Sequence, residues 1–132
     1  MDVYIDPIES SPHLYLVGGG HVAFHLARLA STVGFRVHVV DDREKFASKE
    51  RFPEAVETAV NDIPEWLETT EISPHAYVVI LTRGHRHDLD ALRALATRPF
   101  RYLGLIGSKA KVARLHDALR HEGVEIEAPE RL

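Results

Sequence analysis

The chain has 132 residues, a length that suits one domain with a buried core and needs no stabilising metal or disulfide. Hydrophobic residues make up 45% of it and charged residues 27%, and the formal net charge of -4 argues against a surface built for nucleic acid or anionic membrane. Cysteine is absent, which excludes disulfides, thiolate metal sites and a persulfide carrier on this chain. The sequence shows neither a membrane-span nor a signal-peptide pattern, so we expect a cytoplasmic location.

After a polar leader over residues 1–12, the first half of the chain alternates strand and helix patterns. A short apolar run predicts a strand buried on both faces, and the helical spacing that follows ends at Gly34, a residue typical of helix ends. Two more strand patterns are separated by a polar stretch over residues 43–53. The predicted elements are the strand Leu14–Val17, the helix His21–Val33 and the strands Arg36–Val40 and Val56–Val60.

The second half continues the alternation. Asp62 followed by Pro64 and Glu65 is typical of a helix start. The remaining predicted elements are the strand Ala76–Leu81, a loop Thr82–His87, a helix capped by Asp88, the strand Tyr102–Ile106 and the helix Lys109–His121 with Gly123 as its stop. Five strands joined by crossover helices predict a single α/β domain over residues 1–132. The expected architecture is a doubly wound, mostly parallel, Rossmann-like sheet in a three-layer αβα arrangement.

The turn between the first strand and helix fits G-x-G-x-x-G/A, with Ala23 as the small last residue. A glycine at the first position of this motif permits a tight turn, and a glycine at the third position lets the backbone approach a pyrophosphate. Free N–H groups at a helix start favour an anion, so this turn predicts a phosphate site. The plain alternative is a tight turn without a ligand. The predicted binding residues are Gly18, Gly19, Gly20, His21 and Val22.

Asp41 lies 23 residues beyond Gly18, close to the expected position of a ribose-binding carboxylate, and Asp42 and Arg43 follow it. A carboxylate about 4 Å from a 2′-phosphate would meet a repulsion of about 4 kcal/mol at an effective dielectric of about 20. This pattern favours NAD over NADP, with Arg43 as a partial offset. Alternatively, the two aspartates only cap a loop, and the sequence leaves open which of them faces the site.

Two further loops follow strands whose carboxyl ends should lie beside this turn. The first is cationic, and its side chains could clamp phosphate, or a histidine could act as a proton donor; a solvated loop is the alternative. The second resembles a small anion cradle in which Ser108 caps a helix, or carries ordinary surface lysines. The candidate residues are Thr82, Arg83, His85 and His87 in the first loop and Gly107, Ser108 and Lys109 in the second.

His21 and His25 stand four residues apart on one predicted helix, a spacing that can hold a metal. A metal site needs three or four ligands and no third is evident, so we expect no protein-bound metal. The sequence also lacks a nucleophile elbow and a recognisable carboxylate pair. Any chemistry would then belong to a cofactor or to another protein, with His85 and His87 as the only catalytic candidates.

Several ordered motifs resemble the carboxyl-terminal domain of the xanthine dehydrogenase accessory (XdhC/CoxF) family. The His-Arg-His-Asp loop and the Tyr-Leu-Gly-Leu-Ile-Gly-Ser strand are more specific than the glycine turn. The matching segments are Leu14–Ala23, Val39–Arg43, Arg51–Pro53, Thr82–Asp88 and Pro99–Lys109.

The resemblance implies a protein that binds molybdenum cofactor (molybdopterin), accepts its sulfuration by a partner cysteine desulfurase, and delivers it to a molybdenum hydroxylase apoenzyme. Members of the family usually carry a separate amino-terminal domain and continue beyond the position of Leu132 into a His-Ala-Pro-Ile-Gly-Leu-like segment. We therefore expect an isolated domain or a fragment, and an uncovered sheet edge would favour a homodimer.

Three hypotheses follow from these patterns. The leading one is a cofactor-binding module of an accessory protein for xanthine dehydrogenase-type molybdenum hydroxylases, without turnover of its own. The second is an NAD-dependent oxidoreductase in which His85 or His87 donates a proton. The third is a nucleotide-sensing regulatory domain that acts on a partner protein.

Overall fold

The computed structural model describes residues 11–123 and 130–131 of the chain. Residues 1–10 of the predicted leader lie outside this part. The strands are β1 His13–Val17, β2 Arg36–Asp41, β3 Glu57–Val60, β4 Tyr77–Ile80, β5 Tyr102–Leu105 and β6 Glu130–Arg131. The helices are α1 His21–Thr32, α2 Ile63–Thr69, α3 His85–Leu95 and α4 Lys109–His121, and a single 3₁₀ turn spans Glu44–Phe46.

The strands form one parallel sheet in the order β3-β2-β1-β4-β5-β6. The chain reverses direction across the sheet between β1 and β4, which is the switch point where ligands bind in doubly wound folds. The predicted Rossmann-like α/β class is therefore confirmed. All five predicted strands are present, and the two-residue strand β6 adds a sixth beside β5.

Helices cover the two faces of the sheet in different ways. Right-handed crossovers place α1 on one face and α2, α3 and α4 on the other. Helix α1 packs closely because its buried side chains are all alanines, namely Ala23, Ala27 and Ala30. The polar stretch after β2 returns to this same face and inserts the fully buried Phe52. This stretch lies against the glycine turn and so becomes part of the site.

The start of helix α3 differs from the sequence prediction. The helix begins at His85, with Gly84 as its N-cap, and Asp88 lies in its first turn. The prediction that Asp88 caps the helix was wrong, because its carboxylate turns inward and is completely buried. The other two predicted caps are confirmed: Asp62 accepts a hydrogen bond from the Glu65 N–H at 3.1 Å, and Ser108 accepts one from the Lys111 N–H at 3.1 Å.

The described residues leave the α1 face of the sheet partly uncovered over β4 and β5. An apolar groove of about 500 Å³ lies there, lined by Leu14, Leu26, Leu29, Ala30, Thr32, Val33, Phe35, Tyr77, Val79 and Tyr102. Tyr77 and Tyr102 are the first residues of their strands. The groove therefore extends to the amino-terminal ends of the strands, whereas the glycine turn lies at the carboxyl end of β1.

Among the described residues, no helix combines the length and apolar character needed to cross a membrane.

Candidate functional site

The three glycines that follow β1 occupy three different environments. Gly18 has φ +119°, and a β-carbon there would collide with the backbone of Leu81. A β-carbon on Gly19 would collide with the carbonyl of Phe46. Apart from the chain neighbours of Gly20, no described residue has a heavy atom within 4 Å of the position that a β-carbon on Gly20 would take. The first two glycines therefore serve packing of the protein itself, whereas Gly20 faces open space.

The backbone N–H groups of this turn also fall into two groups, those bonded within the protein and those left without an acceptor among the described residues. The Gly18 N–H donates to Val40 O at 2.8 Å and the Gly19 N–H to Asp41 Oδ2 at 2.8 Å. Within the described part of the chain, nothing accepts a hydrogen bond from the N–H of Gly20, His21 or Val22, and α1 has no side-chain cap. These donors lie at the positive end of a helix of 12 residues. The arrangement is suited to an anionic oxygen or phosphate.

Asp41 is only 2% exposed and organises the turn from within. Its two oxygens accept four hydrogen bonds of 2.8–3.0 Å, one from the Gly19 N–H and three from Arg43. Burial raises the pKa of Asp41, but the hydrogen bonds from Arg43 and Gly19 outweigh it and lower the pKa to about 2. Four bonds fill the acceptor capacity of a carboxylate. A ribose hydroxyl would have to displace one of them, so ribose binding by Asp41 stays a prediction.

Asp42 points outward and joins two strand ends. It accepts a bidentate pair of hydrogen bonds from Arg83, at 2.5 and 3.1 Å. Asp42 follows β2 and Arg83 follows β4, and β1 lies between these strands, so the ion pair passes beside the glycine turn. Arg83 was predicted to clamp phosphate; in this structure its guanidinium is already engaged by Asp42.

Asp88 connects the loop after β4 to the helix α4 that follows the loop after β5. Its Oδ1 accepts hydrogen bonds from the Thr82 N–H at 3.2 Å and the Thr82 hydroxyl at 2.5 Å, and its Oδ2 forms an ion pair with the Lys111 ammonium. His87 is half-buried in the first turn of α3, and the side chain of His85 lies outside the described part of the structure. Thr82 is therefore a structural partner of Asp88, and the catalytic role of His85 or His87 stays a prediction.

The two lysines at the start of α4, after the loop at Gly107 and Ser108, have different surroundings. Lys111 turns back to Asp88 and packs its stem beside Gly107, where a β-carbon would press on it. Lys109, the first residue of α4, is exposed. Ser108 is used as the helix cap. Anion binding at Gly107, Ser108 and Lys109 stays a prediction, and Lys109 is the member of that set whose charge is exposed.

Arg51 belongs to the site although sequence reasoning did not select it. Its Nε–H donates to the Gly19 carbonyl at 3.0 Å. Its guanidinium carbon lies 5.1 Å from the ring centres of Phe24 and Phe46 and 5.7 Å from that of Phe52. The segment Arg51–Pro53 was noticed only as part of the family resemblance. Its contact with a residue 32 positions away has no local signal in the sequence.

The histidine pair on α1 does not assemble a metal site with other residues. The rings of His21 and His25 meet edge to face, with centres 4.7 Å apart, and both residues are exposed. Within residues 11–123 and 130–131, no group of three or more histidine, cysteine or acidic side chains could hold a metal ion.

A comparison with protein-family models matches residues 14–132 to the XdhC Rossmann domain. The chain belongs to this family. The match begins at β1 and includes the glycine turn and both loops described above, so the resemblance inferred from the motifs is confirmed. A fold of this family suggests a nucleotide-type ligand at the switch point.

Two relatives extend the comparison. The chain is 32% identical over 114 residues to a probable xanthine dehydrogenase subunit of Bacillus subtilis (strain 168), a match that covers 86% of this chain and 34% of that protein. It is also 32% identical over 133 residues to the uncharacterised protein YqeB of Escherichia coli (strain K12), covering 100% of this chain and 24% of that protein. The chain thus spans about a third or less of the length of these relatives.

Two solved structures share the fold. A xanthine dehydrogenase structure from Bacillus halodurans superposes with a TM-score of 0.78 at 30% identity, covering 97% of this chain and 41% of that one. The WlbA dehydrogenase from Chromobacterium violaceum, solved with NADH and UDP-GlcNAcA, superposes with a TM-score of 0.55 at 14% identity, covering 95% of this chain and 37% of that one. The second likeness shows the fold alone.

Proposed function

We propose that this chain is the cofactor-binding domain of an accessory protein that matures xanthine dehydrogenase-type molybdenum hydroxylases. Its ligand is molybdenum cofactor, held by a phosphate or pyrophosphate at the glycine turn. The domain binds and presents the ligand and performs no turnover of its own. The family match and the xanthine dehydrogenase names of two relatives support this class of role.

One observation carries the proposal, namely the open site at the start of α1 formed by the N–H groups of Gly20, His21 and Val22, which we call the cradle. Among the described residues, no atom beyond the chain neighbours of Gly20 lies within 4 Å of where a β-carbon of Gly20 would be, and nothing accepts a hydrogen bond from the N–H groups of Gly20, His21 and Val22. A phosphate there would receive hydrogen bonds from the backbone and the favourable field of α1. These residues would hold the phosphate of molybdopterin, of its dinucleotide form or of NAD. Molybdenum cofactor, when bound, supplies the metal chemistry that this chain lacks.

The proposal includes two protein partners. A cysteine desulfurase would supply sulfur, since this chain has no cysteine on which a persulfide could form. A molybdenum hydroxylase apoenzyme would receive the loaded cofactor. Both interactions rest on the family, and each can be measured by co-purification with this domain.

Calorimetric titration with molybdenum cofactor, paired with NAD in the same buffer, tests the choice of ligand. Tight binding of the cofactor with weak NAD binding supports the accessory role. Tight NAD binding without cofactor binding would replace it with the oxidoreductase or sensor hypothesis. A turnover screen at the reduced nicotinamide absorbance would then separate those two.

A variant tests the site independently of the ligand's identity. Gly20→Leu fills the cradle with a side chain whose β-carbon meets no described residue other than its chain neighbours, so we expect the domain to fold and its affinity to fall at least tenfold. His25→Leu places the same side chain one turn further along α1 at an exposed position and serves as the control. Unchanged affinity in Gly20→Leu would refute the assignment of the cradle.

A further inference from the structure

We infer that Arg51 is a positioning residue that holds the Gly19–Gly20 peptide so that the Gly20 N–H faces the ligand's phosphate. This inference rests on the proposed function of the cradle and names the residue that keeps the Gly20 N–H directed into it. Arg51 lies outside the glycine motif, on the stretch that follows β2. Its role follows from one hydrogen bond and the packing around it.

The hydrogen bond fixes the direction of a peptide plane. Arg51 Nε donates to the Gly19 carbonyl at 3.0 Å. In a trans peptide, the carbonyl of one residue and the N–H of the next point in opposite directions, and the described residues contain no cis peptide. Holding the Gly19 carbonyl on the Arg51 side therefore directs the Gly20 N–H away from Arg51. That N–H has no acceptor among the described residues and is left for a ligand.

This peptide needs such a restraint because glycine flanks it on both sides. Two glycines permit backbone rotations that other residues resist, so the plane between them can flip at low cost. The preceding peptide is already fixed, because the Gly19 N–H donates to Asp41. A flip of the next one would turn the Gly19 carbonyl oxygen toward the phosphate and replace attraction with repulsion. Arg51 opposes that flip.

The surroundings of Arg51 keep its guanidinium in place. Three phenylalanine rings lie within 5.1–5.7 Å of it, contributed by Phe24 on α1 and by Phe46 and Phe52 on the stretch after β2. The backbone N–H of Arg51 donates to Ser48 Oγ at 3.1 Å. In the described part of the chain no carboxylate forms an ion pair with it, unlike Arg43 and Arg83. The contacts of its side chain thus go to the turn and to aromatic faces, as a positioning role requires.

Arg28 provides a matched control. Its guanidinium carbon lies 5.7 Å from the Phe24 ring, on the same helix face, but it makes no hydrogen bond to the glycine turn. Arg28→Met and Arg51→Met remove the same charge, and each removes a guanidinium contact with the Phe24 ring. Arg51→Lys keeps the charge and loses the Nε donor, so it separates a positional effect from an electrostatic one.

The experiment measures inorganic pyrophosphate affinity of the full chain by calorimetry, together with the backbone amide resonance of Gly20 by NMR without ligand. We expect Arg51→Met and Arg51→Lys to weaken pyrophosphate binding at least tenfold and to shift or broaden the Gly20 resonance. Arg28→Met should change affinity less than twofold and leave that resonance in place. Circular dichroism checks that each variant is folded.

The outcomes separate this inference from the proposed function. If the wild-type chain binds no pyrophosphate, the proposed site fails, and the Gly20 resonance of the ligand-free variants still decides the role of Arg51. An unchanged Gly20 resonance in Arg51→Met overturns the inference. Equal weakening by Arg28→Met, or full affinity in Arg51→Lys, would reduce Arg51 to a source of positive charge and overturn it as well.

Discussion

The pH dependence of stability at Asp41 tests the description of the glycine turn most directly. The pKa of Asp41 falls from 3.8 to about 2 in the folded protein, because hydrogen bonds from Arg43 and Gly19 outweigh the effect of burial. A lowered folded-state pKa stabilises the native state above pH 3.8, and this contribution is lost as the pH falls toward 2. The shift corresponds to about 2 kcal/mol above pH 5 and to about half of that at pH 3.

The corresponding variant is Asp41→Asn, which keeps the shape of the side chain and removes its charge. We expect urea unfolding at pH 7 to show a loss of about 2–3 kcal/mol, and the difference from wild type to shrink by about half at pH 3. Asp42→Asn is the control, because its pair with Arg83 is exposed and should contribute at most about 1 kcal/mol. A loss in Asp41→Asn below 0.5 kcal/mol, or one that is constant between pH 7 and pH 3, would refute the reasoning.

Three further substitutions test the neighbouring structure, each by urea unfolding. Asp88→Asn leaves the Lys111 ammonium without its buried partner and should cost about 3 kcal/mol; a loss below 1 kcal/mol would contradict the inward position of Asp88. Gly19→Ala should cost about 1–3 kcal/mol because its methyl group collides with the Phe46 carbonyl, and wild-type stability would show that the stretch after β2 does not pack there. Ser108→Ala removes a helix cap and should cost about 1 kcal/mol, with no loss expected if another group caps α4.

Local patterns in the sequence were sufficient for most of the fold. The apolar run ending in Gly18 and the change to helical spacing located β1, the turn and α1 within a residue of their positions. Alternation of these patterns also determined the parallel sheet, because crossover helices leave few other topologies. The two-residue strand β6 is too short to give a periodic pattern, so it was missed.

Long-range pairing explains why the candidate site was harder to predict. Asp88 resembles a helix cap when only its neighbours are considered, whereas its burial depends on Lys111 in the next helix. Asp41 was predicted to face a ribose, yet its four hydrogen bonds go to Gly19 and Arg43. Arg51 carries no local signature of its role. Asp88 and Arg51 have their decisive partners on other elements of the fold, and Asp41 adds the distant Gly19 to its local partner Arg43.

Salt concentration should separate the two ion pairs that join the loops of the site. Asp42 and Arg83 have side chains 30% and 40% exposed, whereas Asp88 is fully buried against Lys111. Screening acts over about 8 Å at physiological ionic strength and about 3 Å at 1 M salt, and it weakens exposed pairs more than buried ones. The effect of Asp42→Asn on unfolding should therefore vanish in 1 M sodium chloride, while that of Asp88→Asn persists. Equal loss of both effects would mean that water reaches Asp88, and the link that Asp88 makes between the loop after β4 and Lys111 would then be no stronger than a surface contact.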